Sequence, residues 1–406
     1  MIALEIVFWV CAGLIVWTQV GYAATLAVLV RVFRATPIQA PSQLQAKTRQ
    51  RFKTQPQSQA KAQPEELPSL SLIVAAHNEQ SVIGARVVNA LALDYPRELL
   101  EVIVTCDGCT DATAARAREA GADLVLELPR GGKIRAQDAA VEHAHGEVVA
   151  FSDANALWEP GAARALVAAF ADPQVGYACG QVRFFQNPHP PGGAHATNQE
   201  GVYWRYEMAV RAHESQLSSI TAGNGAIYAT RRDAYIVVDP IMGHDLSLPF
   251  NMVKRGLRAV YVPGARASEK MVPSIVGEFA RKRRMMSHTW PILMRGGMLS
   301  PRGYPPGYAL MIFSHRLLRY ITPFLHVLAF VANIVIVARG AGPIYTITLT
   351  LQVLLGASAG LGGLIHIRPL LIARYYFLTT ASPAIGLWDW LRHGTDASWE
   401  AAEGTR

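Results

Sequence analysis

Four short polar clusters, each directly after an apolar run, contain the residues of this chain that could do chemistry. One of them is Ser152-Asp153-Ala154-Asn155, which follows residues 148–151. Asp153 and Asn155 are two positions apart, so their side chains point the same way on an extended chain. Carboxylate and amide oxygens are ligands for hard divalent cations such as Mg²⁺ or Mn²⁺. We therefore predict a metal site formed by Asp153 and Asn155.

A second cluster, Arg130-Gly131-Gly132-Lys133, follows residues 124–128 and opens a helical pattern. Glycines at a helix start beside a lysine suit a phosphate group, because free N–H groups and a positive charge then face it. The full P-loop spacing is absent, so this motif is weak when taken alone. We predict that Lys133 lies near the phosphates of a ligand.

The other two clusters are His77-Asn78-Glu79, after residues 70–75, and Cys106-Asp107-Gly108-Cys109, after residues 101–105. Asn78 and Glu79 could be no more than helix-start residues. The Cys-x-x-Cys pattern could indicate zinc or redox chemistry, but a structural zinc site needs two more ligands and the sequence has no matching pair. Together the four clusters describe a site for a nucleotide, its phosphates and a divalent metal.

The elements that must position these clusters alternate between strands and helices. Helical periodicity extends over residues 81–93, 111–120 and 133–145, between the strand-like runs. Strand–helix alternation with short turns predicts an α/β fold, a mostly parallel sheet with helices on both faces. Ligands of such sheets bind at the carboxyl ends of the strands, which is where all four clusters fall.

Apolar runs at both ends of the chain predict membrane helices. The chain has 406 residues, of which 51% are hydrophobic and 17% charged, and this balance excludes an intrinsically disordered protein. Residues 6–30 carry no charge and are long enough to cross a bilayer core of about 30 Å. Residues 320–338 and 340–367 are two further predicted spans. Residues 370–391 contain charged side chains, so they are predicted either to span or to lie in the interface.

The positive charge of the chain is concentrated after the first predicted span. Residues 31–64 contain seven Lys or Arg and no Asp or Glu, against a net charge of +8 for the whole chain. This local charge predicts a tether to anionic lipid and no nucleic-acid partner. By the positive-inside rule the segment is cytoplasmic, so we predict a multi-pass protein of the cell inner membrane with a cytoplasmic catalytic domain. The four cysteines fit a reducing compartment.

The order of these motifs resembles that of the family 2 glycosyltransferases, which have the GT-A fold. The resemblance covers about residues 70–295 through SLIVAAHNE, EVIVTCDGCTD, RGGK, FSDAN, ITAGNGAIYATRR, MGHDLSLPFNMVKRGLRAVYVP and RKRRM. The membrane flanks resemble the cellulose, chitin, hyaluronan and poly-N-acetylglucosamine synthase branch, and the tail WEAAEGTR is similar to the Trp…Gly-Thr-Arg endings of several of these. The resemblance implies transfer of a sugar from a nucleotide-diphosphate donor, with a UDP-sugar as the first candidate.

The resemblance also implies roles for the residues on the donor side. His77 and Glu79 would lie beside the nucleoside, and Asp107 would hydrogen-bond the uracil. Lys133 would stand near the diphosphate. Asp153 and Asn155, identified above as a metal site, match the Asp-x-Asp motif that holds Mg or Mn.

On the acceptor side, the resemblance makes Asp245 the base that activates a hydroxyl of a glycan or lipid acceptor. Arg281 and Arg284 match the first and fourth positions of the Gln-x-x-Arg-Trp motif, although the four consecutive cations at 281–284 equally suit a basic patch that faces the membrane. One base without a carboxylate nucleophile predicts single displacement with inversion at the anomeric carbon. Asp245 could instead be a helix cap, in which case His244 is the next candidate for the base.

Five residues depart from the family pattern. Asn155 replaces a carboxylate, which should weaken the hold on a metal, and Cys106 replaces an Asp that often precedes Asp107. Arg281 replaces Gln and Met285 replaces the stacking Trp, which argues against processive synthesis of a long polymer. His244 replaces the Glu that precedes the base. The sequence predicts neither a particular oligomeric state nor particular accessory subunits.

Three alternatives follow from these departures. The chain could add a single sugar to a membrane lipid as a glycolipid synthase, or it could bind nucleotide-sugars without catalysis. A membrane-tethered dehydrogenase is not supported, because no Gly-x-Gly-x-x-Gly follows a strand. The predicted organisation is a transmembrane helix at 1–30, a basic linker at 31–68, the catalytic domain at 69–275, interfacial helices at 276–316, transmembrane or interfacial helices at 317–391 and a tail at 392–406.

Overall fold

The computed structural model describes residues 1–33, 67–185, 198–270 and 275–397. Within these residues an α/β domain is joined to long apolar helices on both sides, which confirms the predicted fold class. Most of the predicted basic linker at 31–68 and of the tail at 392–406 lies outside the described residues.

The helices and strands are numbered along the chain. The strands are β1 (Leu70–Ala76), β2 (Leu100–Asp107), β3 (Leu124–Leu128), β4 (Val148–Asp153), β5 (Leu157–Trp158), β6 (Val175–Phe185), β7 (Tyr228–Arg231) and β8 (Arg258–Lys270). The helices are α1 (Ile2–Phe33), α2 (Ile83–Leu91), α3 (Thr113–Glu119), α4 (Lys133–His143), α5 (Ala162–Ala168), α6 (Asn198–Leu217), α7 (His244–Lys254), α8 (Ile275–Met294), α9 (Pro306–Ala338), α10 (Pro343–Leu361) and α11 (Arg368–His393).

The described strands form one eight-stranded sheet in the order β3-β2-β1-β4-β7-β6-β8-β5. The first four strands are parallel, as the alternation predicted. In the second half, β7 runs antiparallel to both β4 and β6, and β8 is parallel to β6. Every residue of β1 is buried, because helices cover both faces of a parallel sheet. The carboxyl ends of β1, β2, β3 and β4 therefore meet at one edge, where the four polar clusters emerge.

Three helices within the described ranges are long and apolar enough to cross a membrane, namely α1, α9 and α10. Helix α11 packs against both α8 and α10, and it is not among these three helices. The candidate membrane helices share a core with the catalytic domain. In that core, Tyr22 and Leu26 of α1 pack with Phe250 of α7 and Trp290 of α8.

Helix α9 begins at Pro306, inside the segment 276–316 that was predicted to be interfacial. The sequence-based boundary was placed at 317 because the charge-free run begins only at residue 320, after His315, Arg316 and Arg319. In the structure these three side chains do not end the helix, because they meet buried carboxylates of the catalytic domain. Helix α9 therefore runs without a break from its contacts with the catalytic domain into the charge-free run at 320–338.

A buried polar cluster, which we call the junction cluster, joins the catalytic domain to α1 and α9. Its members are Tyr22, Glu207, Glu214, Thr221, His315, Arg316 and Arg319. Glu214 accepts hydrogen bonds from Tyr22 Oη at 2.7 Å and the Thr221 N–H at 3.0 Å, and its Oε1 lies 2.7 Å from His315 Nδ1. Arg319 donates to Glu207 at 2.6 Å. One carboxylate thus holds three segments of the chain together.

Replacing Glu214 with Ala should destabilise the junction, since three buried polar partners would lose their acceptor. Removing one member of a buried charged pair typically costs about 3–5 kcal/mol. We expect a clearly lower melting temperature in detergent, and a smaller loss for Glu214→Gln, which keeps an acceptor oxygen. The matched control is Glu119→Ala on an exposed position of α3. Equal melting temperatures for Glu214→Ala and this control would show that the cluster does not hold the helices in place.

Candidate active site

The Asp107 carboxylate organises the loop between β3 and α4. It lies at the end of β2, is 1% exposed, and accepts the backbone N–H of Gly131 at 2.6 Å and of Gly132 at 3.1 Å. Arg130 Nε lies 3.9 Å from the same carboxylate. The structure therefore brings Asp107 and the Gly-Gly-Lys segment together, as their positions at neighbouring strand ends predicted.

His77 and Glu79 line the same edge from the end of β1. His77 Nδ1 is 2.6 Å from the backbone carbonyl of Asp107. A carbonyl only accepts, so Nδ1 carries the proton and Nε2 is left as an acceptor. Glu79 is buried, and its backbone N–H donates to Thr113 Oγ1 at 2.8 Å. Both residues predicted to lie beside a nucleoside are thus fixed next to the turn that carries Asp107.

Lys133 and Asp153 form an ion pair across the strand ends. Lys133 is the first residue of α4 and follows Gly132, whose φ of 94° is readily reached only by glycine. Burial opposes the charge on Lys133, but Asp153, Asp245 and Glu269 outweigh that effect, so its pKa lies above the ordinary value. Lys133 is therefore a fixed positive charge at this edge of the sheet.

Gly225 keeps the space beside this ion pair open. A Cβ at position 225 would lie 3.3 Å from Lys133 Nζ and 3.7 Å from Asp153 Oδ2. A side chain there would reach over the ion pair and cover Asp153 Oδ2, whereas Lys133 pairs with Oδ1 of the same carboxylate. The glycine in the segment Gly223-Asn224-Gly225 thus leaves room for a ligand at Asp153.

The donor set at this position fits a divalent cation that is shared with a substrate. No group of three His, Cys, Asp or Glu side chains able to hold a metal occurs among the described residues. Asp153 and the partly exposed Asn155 would therefore hold the ion as one carboxylate and one amide. Mg²⁺ and similar ions commonly use one or two protein ligands and complete their shell with water and substrate phosphates.

Asp245 lies in the first turn of α7, close enough to Lys133 and Asp153 to be affected by both charges. Its Oδ1 accepts the N–H of Leu246 at 3.0 Å, whereas the N-cap residue of the helix is Gly243. A Cβ at Gly243 would lie 2.7 Å from this Oδ1, so only glycine leaves the carboxylate in place. Burial raises the pKa of Asp245, with Lys133 opposing the rise, and a raised pKa makes its carboxylate a better proton acceptor.

His244 is not available as an alternative base. It is 2% exposed, and its two ring nitrogens are hydrogen-bonded to Tyr228 Oη at 2.9 Å and Tyr235 Oη at 3.2 Å. Burial and the charge of Lys133 lower its pKa to about 3, so the ring is neutral. His244 is a buried packing residue at the start of α7. Asp245 is therefore the candidate base of this segment.

The two arginines of the RKRRM segment have different surroundings on α8. Arg281 donates two hydrogen bonds of 2.8 Å to Glu278 on its own helix. Arg284 is exposed and lies within electrostatic range of His288, which is also affected by Asp245. Met285, at the position of the family Trp, is 41% exposed. Arg281 is thus held by a carboxylate of its own helix, whereas Arg284 and Asp245 both act on the pKa of His288.

Sequence reasoning did not identify His288 or Gly225. His288 is four residues after Arg284 and therefore on the same helix face, a signal that the family motif, ending at Met285, did not include. The loop between β3 and α4, residues 129–132, is called the phosphate loop below. The backbone of Ala397 lies against it, since a Cβ at Gly132 would be 2.2 Å from the carbonyl oxygen of Ala397. Such long-range contacts have no signature in local sequence.

Comparisons with known proteins identify the family and the fold that this chain resembles. The sequence profile of the family described as "Glycosyltransferase like family 2" matches residues 68–287. A beta-monoglucosyldiacylglycerol synthase of Synechocystis is 29% identical over 54% of this chain and 42% of its own length. An N-acetylglucosaminyltransferase of Rhizobium leguminosarum bv. viciae is 25% identical over 53% of this chain and 54% of its own length. The chain therefore spans about half the length of these curated relatives.

A solved structure extends the similarity over nearly the whole fold. The mannosyltransferase of Pyrobaculum calidifontis, determined in complex with GDP-Man and Mn²⁺, is 22% identical, with a TM-score of 0.62. The alignment covers 91% of this chain and 98% of that protein. At this level of identity the match concerns the fold, a GT-A domain together with the helices that flank it.

Proposed function

Because this chain belongs to the glycosyltransferase-like family 2, we propose that it moves a sugar from a nucleotide-diphosphate donor to an acceptor hydroxyl at the cytoplasmic face of the inner membrane. The observation that carries this proposal is the grouping of Lys133, Asp153 and Asp245 at the carboxyl ends of the parallel strands. Two of these groups suit a diphosphate and its cation, and the third suits an acceptor. The first donor to consider is a UDP-sugar.

On the donor side, the residues bind and neutralise the nucleotide. His77, Glu79 and Asp107 form the nucleoside end, and Lys133 holds the diphosphate. Asp153 and Asn155 would hold a Mg²⁺ or Mn²⁺ ion, which would supply positive charge against the charge that develops on the leaving diphosphate. Nucleotide and Mn²⁺ in the structure of the Pyrobaculum relative support this part of the proposal.

On the acceptor side, Asp245 takes the proton of the acceptor hydroxyl as its oxygen attacks the anomeric carbon. The bond to the diphosphate breaks in the same displacement, so the anomeric configuration inverts. Arg284 and Arg281 line the approach from α8 and add positive charge on the side of the leaving group. The raised pKa of Asp245 supports its assignment as the base.

A membrane lipid that receives one sugar is the acceptor class that the structure favours over a growing polymer. The RKRRM segment has an exposed Met285 where an aromatic platform would hold a glycan chain. Helix α8 itself packs against α11 and, through Trp290, against the core shared with α1. The Synechocystis relative, named as a glycolipid synthase, supports this second candidate.

The topology proposed for the chain has α1, α9 and α10 crossing the membrane and α11 on the cytoplasmic side. The contact between Ala397 and Gly132 supports this proposal, because the end of α11 and the donor site must share a compartment. A cysteine introduced at Thr395 should react with a membrane-impermeant maleimide only in inside-out vesicles. Labelling from the periplasmic side would mean that α11 crosses the membrane as a third C-terminal span.

A donor screen tests the proposal as a whole. Membranes that contain the protein are incubated with a panel of UDP- and GDP-sugars, with Mn²⁺, Mg²⁺ or EDTA, and lipid and water-soluble products are measured by mass spectrometry. We expect one donor to give a product one hexose unit heavier than a membrane lipid, and EDTA to abolish it. Nucleotide-sugar binding without any transferred sugar, across the whole panel, would support a sensor instead.

A further inference from the structure

Two of the four cysteines form a pair beside the nucleoside end of the donor site. Cys106 is the penultimate residue of β2 and is buried, whereas Cys109 follows Gly108 and is partly exposed. Cys109 packs against the buried apolar cluster that contains Cys106, and each thiol affects the pKa of the other. The other two cysteines, Cys11 in α1 and Cys179 in β6, are both buried elsewhere in the chain.

The surroundings of Cys109 favour its thiolate form. Its Sγ accepts the backbone N–H of Asn78 at 3.5 Å, which stabilises the thiolate, whereas the protonated thiol donates to the carbonyl oxygen of Ala76 at 3.6 Å. The hydrogen bond from Cys106, helped by Asn78 and Thr113, lowers the pKa of Cys109 to about 7, while burial and Asp111 oppose this. The same hydrogen bond and burial raise the pKa of Cys106, with Glu127 adding to the rise and Arg118 opposing it.

This arrangement has the two parts of a redox-sensitive dithiol. Such sites combine an exposed thiolate, which is attacked first by an oxidant, with a nearby thiol that resolves the product. Cys109 has the exposure and Cys106 the proximity. Zinc is a poorer occupant, because the described residues offer no group of three metal-binding side chains here.

We propose that Cys106 and Cys109 are a reversible oxidation site for hydroperoxides and that their disulfide loosens the donor site. The Cys109 sulfur attacks the peroxide O–O bond and becomes a sulfenic acid, releasing water from hydrogen peroxide or an alcohol from an organic peroxide. The Cys106 sulfur then attacks the Cys109 sulfur, and the hydroxyl leaves with the Cys106 proton as a second water. Two sulfurs lose two electrons in all, and one O–O bond takes them up.

The turn between the two cysteines has little freedom to absorb a new covalent bond. Gly108 has a φ of 60°, and its N–H donates to the carbonyl of Leu128 at 2.8 Å. A Cβ at this position would lie 2.8 Å from Cβ of Arg130, so the turn is tightly packed on the phosphate loop. Moving it disturbs Asp107, whose carboxylate holds the N–H groups of Gly131 and Gly132.

The first experiment maps the disulfide in the full-length protein in detergent. After treatment with hydrogen peroxide, remaining thiols are blocked, and peptides are analysed by mass spectrometry with and without dithiothreitol. We expect a Cys106–Cys109 linkage that dithiothreitol reverses. Thiols that stay reduced, or that pass to sulfinic acid without a linkage, would overturn the proposal. Cys109→Ser should form no linkage, and Cys11→Ser, the matched control, should form it like the parent.

The second experiment measures the consequence by two readouts. Amide hydrogen exchange of residues 128–135 should become at least about tenfold faster in the oxidised parent, since the bonds from Gly131 and Gly132 to Asp107 weaken. In the parent and in Cys11→Ser, the affinity for UDP should fall by a similar factor on oxidation and recover with dithiothreitol. In Cys109→Ser, oxidation should leave the affinity for UDP unchanged. Unchanged exchange in a protein with the mapped disulfide would refute the effect on the donor site.

The effect on UDP rests on the proposed function, whereas the disulfide and the exchange rates do not. If the reduced protein binds neither UDP nor GDP, the proposed donor class is wrong, and the two other readouts still decide the redox proposal.

Discussion

Replacing Asp245 with Asn should reduce sugar transfer by about 10²–10⁴-fold, the range typical of a lost general base, while nucleotide binding stays near that of the parent. The amide has no carboxylate that could take a proton from the acceptor hydroxyl. Its oxygen can still accept the N–H of Leu246, which Asp245 Oδ1 holds at 3.0 Å, so the helix start should be kept. Transfer rate, UDP affinity and melting temperature are measured on the same preparation.

A helix-capping role predicts a different result for the same variant. The N-cap position is already taken by Gly243, and exchanging one capping side chain for another costs at most about 1 kcal/mol without loss of activity. Asp239→Asn is the matched control, since this exposed Asp also accepts a local backbone N–H, that of Ile241 at 3.1 Å. If Asp245→Asn retained more than about a tenth of the parent activity, its loss in rate would be smaller than that expected for a missing general base. The assignment of Asp245 as the base would then be wrong.

The pH dependence of transfer gives the same assignment a second readout. Burial, only partly offset by Lys133, raises the pKa of Asp245 in the folded protein. The protonated form cannot accept a proton, so the rate should fall as the pH drops through this raised value. The acid limb should therefore have its midpoint above the ordinary aspartate pKa of about 3.9, and the residual activity of Asp245→Asn should lack it.

Replacing Asp153 with Asn should lower transfer by at least about 10²-fold, because it removes the carboxylate that would hold both Lys133 and a divalent cation beside the diphosphate. The protein should still fold, since Asp153 is partly exposed at the end of β4. Transfer is measured against Mn²⁺ and Mg²⁺ concentration and in EDTA. Asp94→Asn, which breaks a surface ion pair with Arg164 at 3.1 Å, is the control for the change in charge.

The Asn155→Asp variant tests metal binding apart from the ion pair between Asp153 and Lys133, because Asn155 is proposed only as a metal ligand. A second carboxylate adds negative charge for a cation, so the variant should keep activity and require less Mn²⁺ for half-maximal rate. Parent-level activity of Asp153→Asn in EDTA would remove the metal from the account and leave Lys133 as the cation for the diphosphate.

The first half of the fold could be predicted because its elements carry local signals. Strand β1 is a continuous apolar run, helix α2 has helical spacing, and the polar clusters follow directly after the strands. The second half could not, because β7 inserts antiparallel between β4 and β6 and no short-range pattern specifies such pairing. The start of α9 was missed for a related reason. His315 pairs with Glu214, 101 residues earlier in the chain, so a polar side chain at this point of the helix has no local explanation.

The candidate site divides in the same way. Asp107, Lys133 and Asp153 come from neighbouring strand ends, so their meeting follows from the parallel sheet itself. Asp245 and His288 reach the site from α7 and α8, whose placement depends on packing between distant segments. His244 shows the limit most directly, because its neutral state results from burial and the charge of Lys133. Its ring nitrogens contact Tyr228 and Tyr235, and none of these three residues is its neighbour in sequence.

The most direct test of the central claim is the anomeric configuration of the product. Once the donor screen has identified a substrate, the purified glycoside is analysed by proton NMR, and the coupling constant of the anomeric proton reports the linkage. Single displacement by an acceptor that Asp245 deprotonates predicts a β-glycoside from an α-linked gluco-configured donor, formed by the parent and by Asp239→Asn but not by Asp245→Asn. An α-glycoside from the parent enzyme would contradict the mechanism proposed for this site.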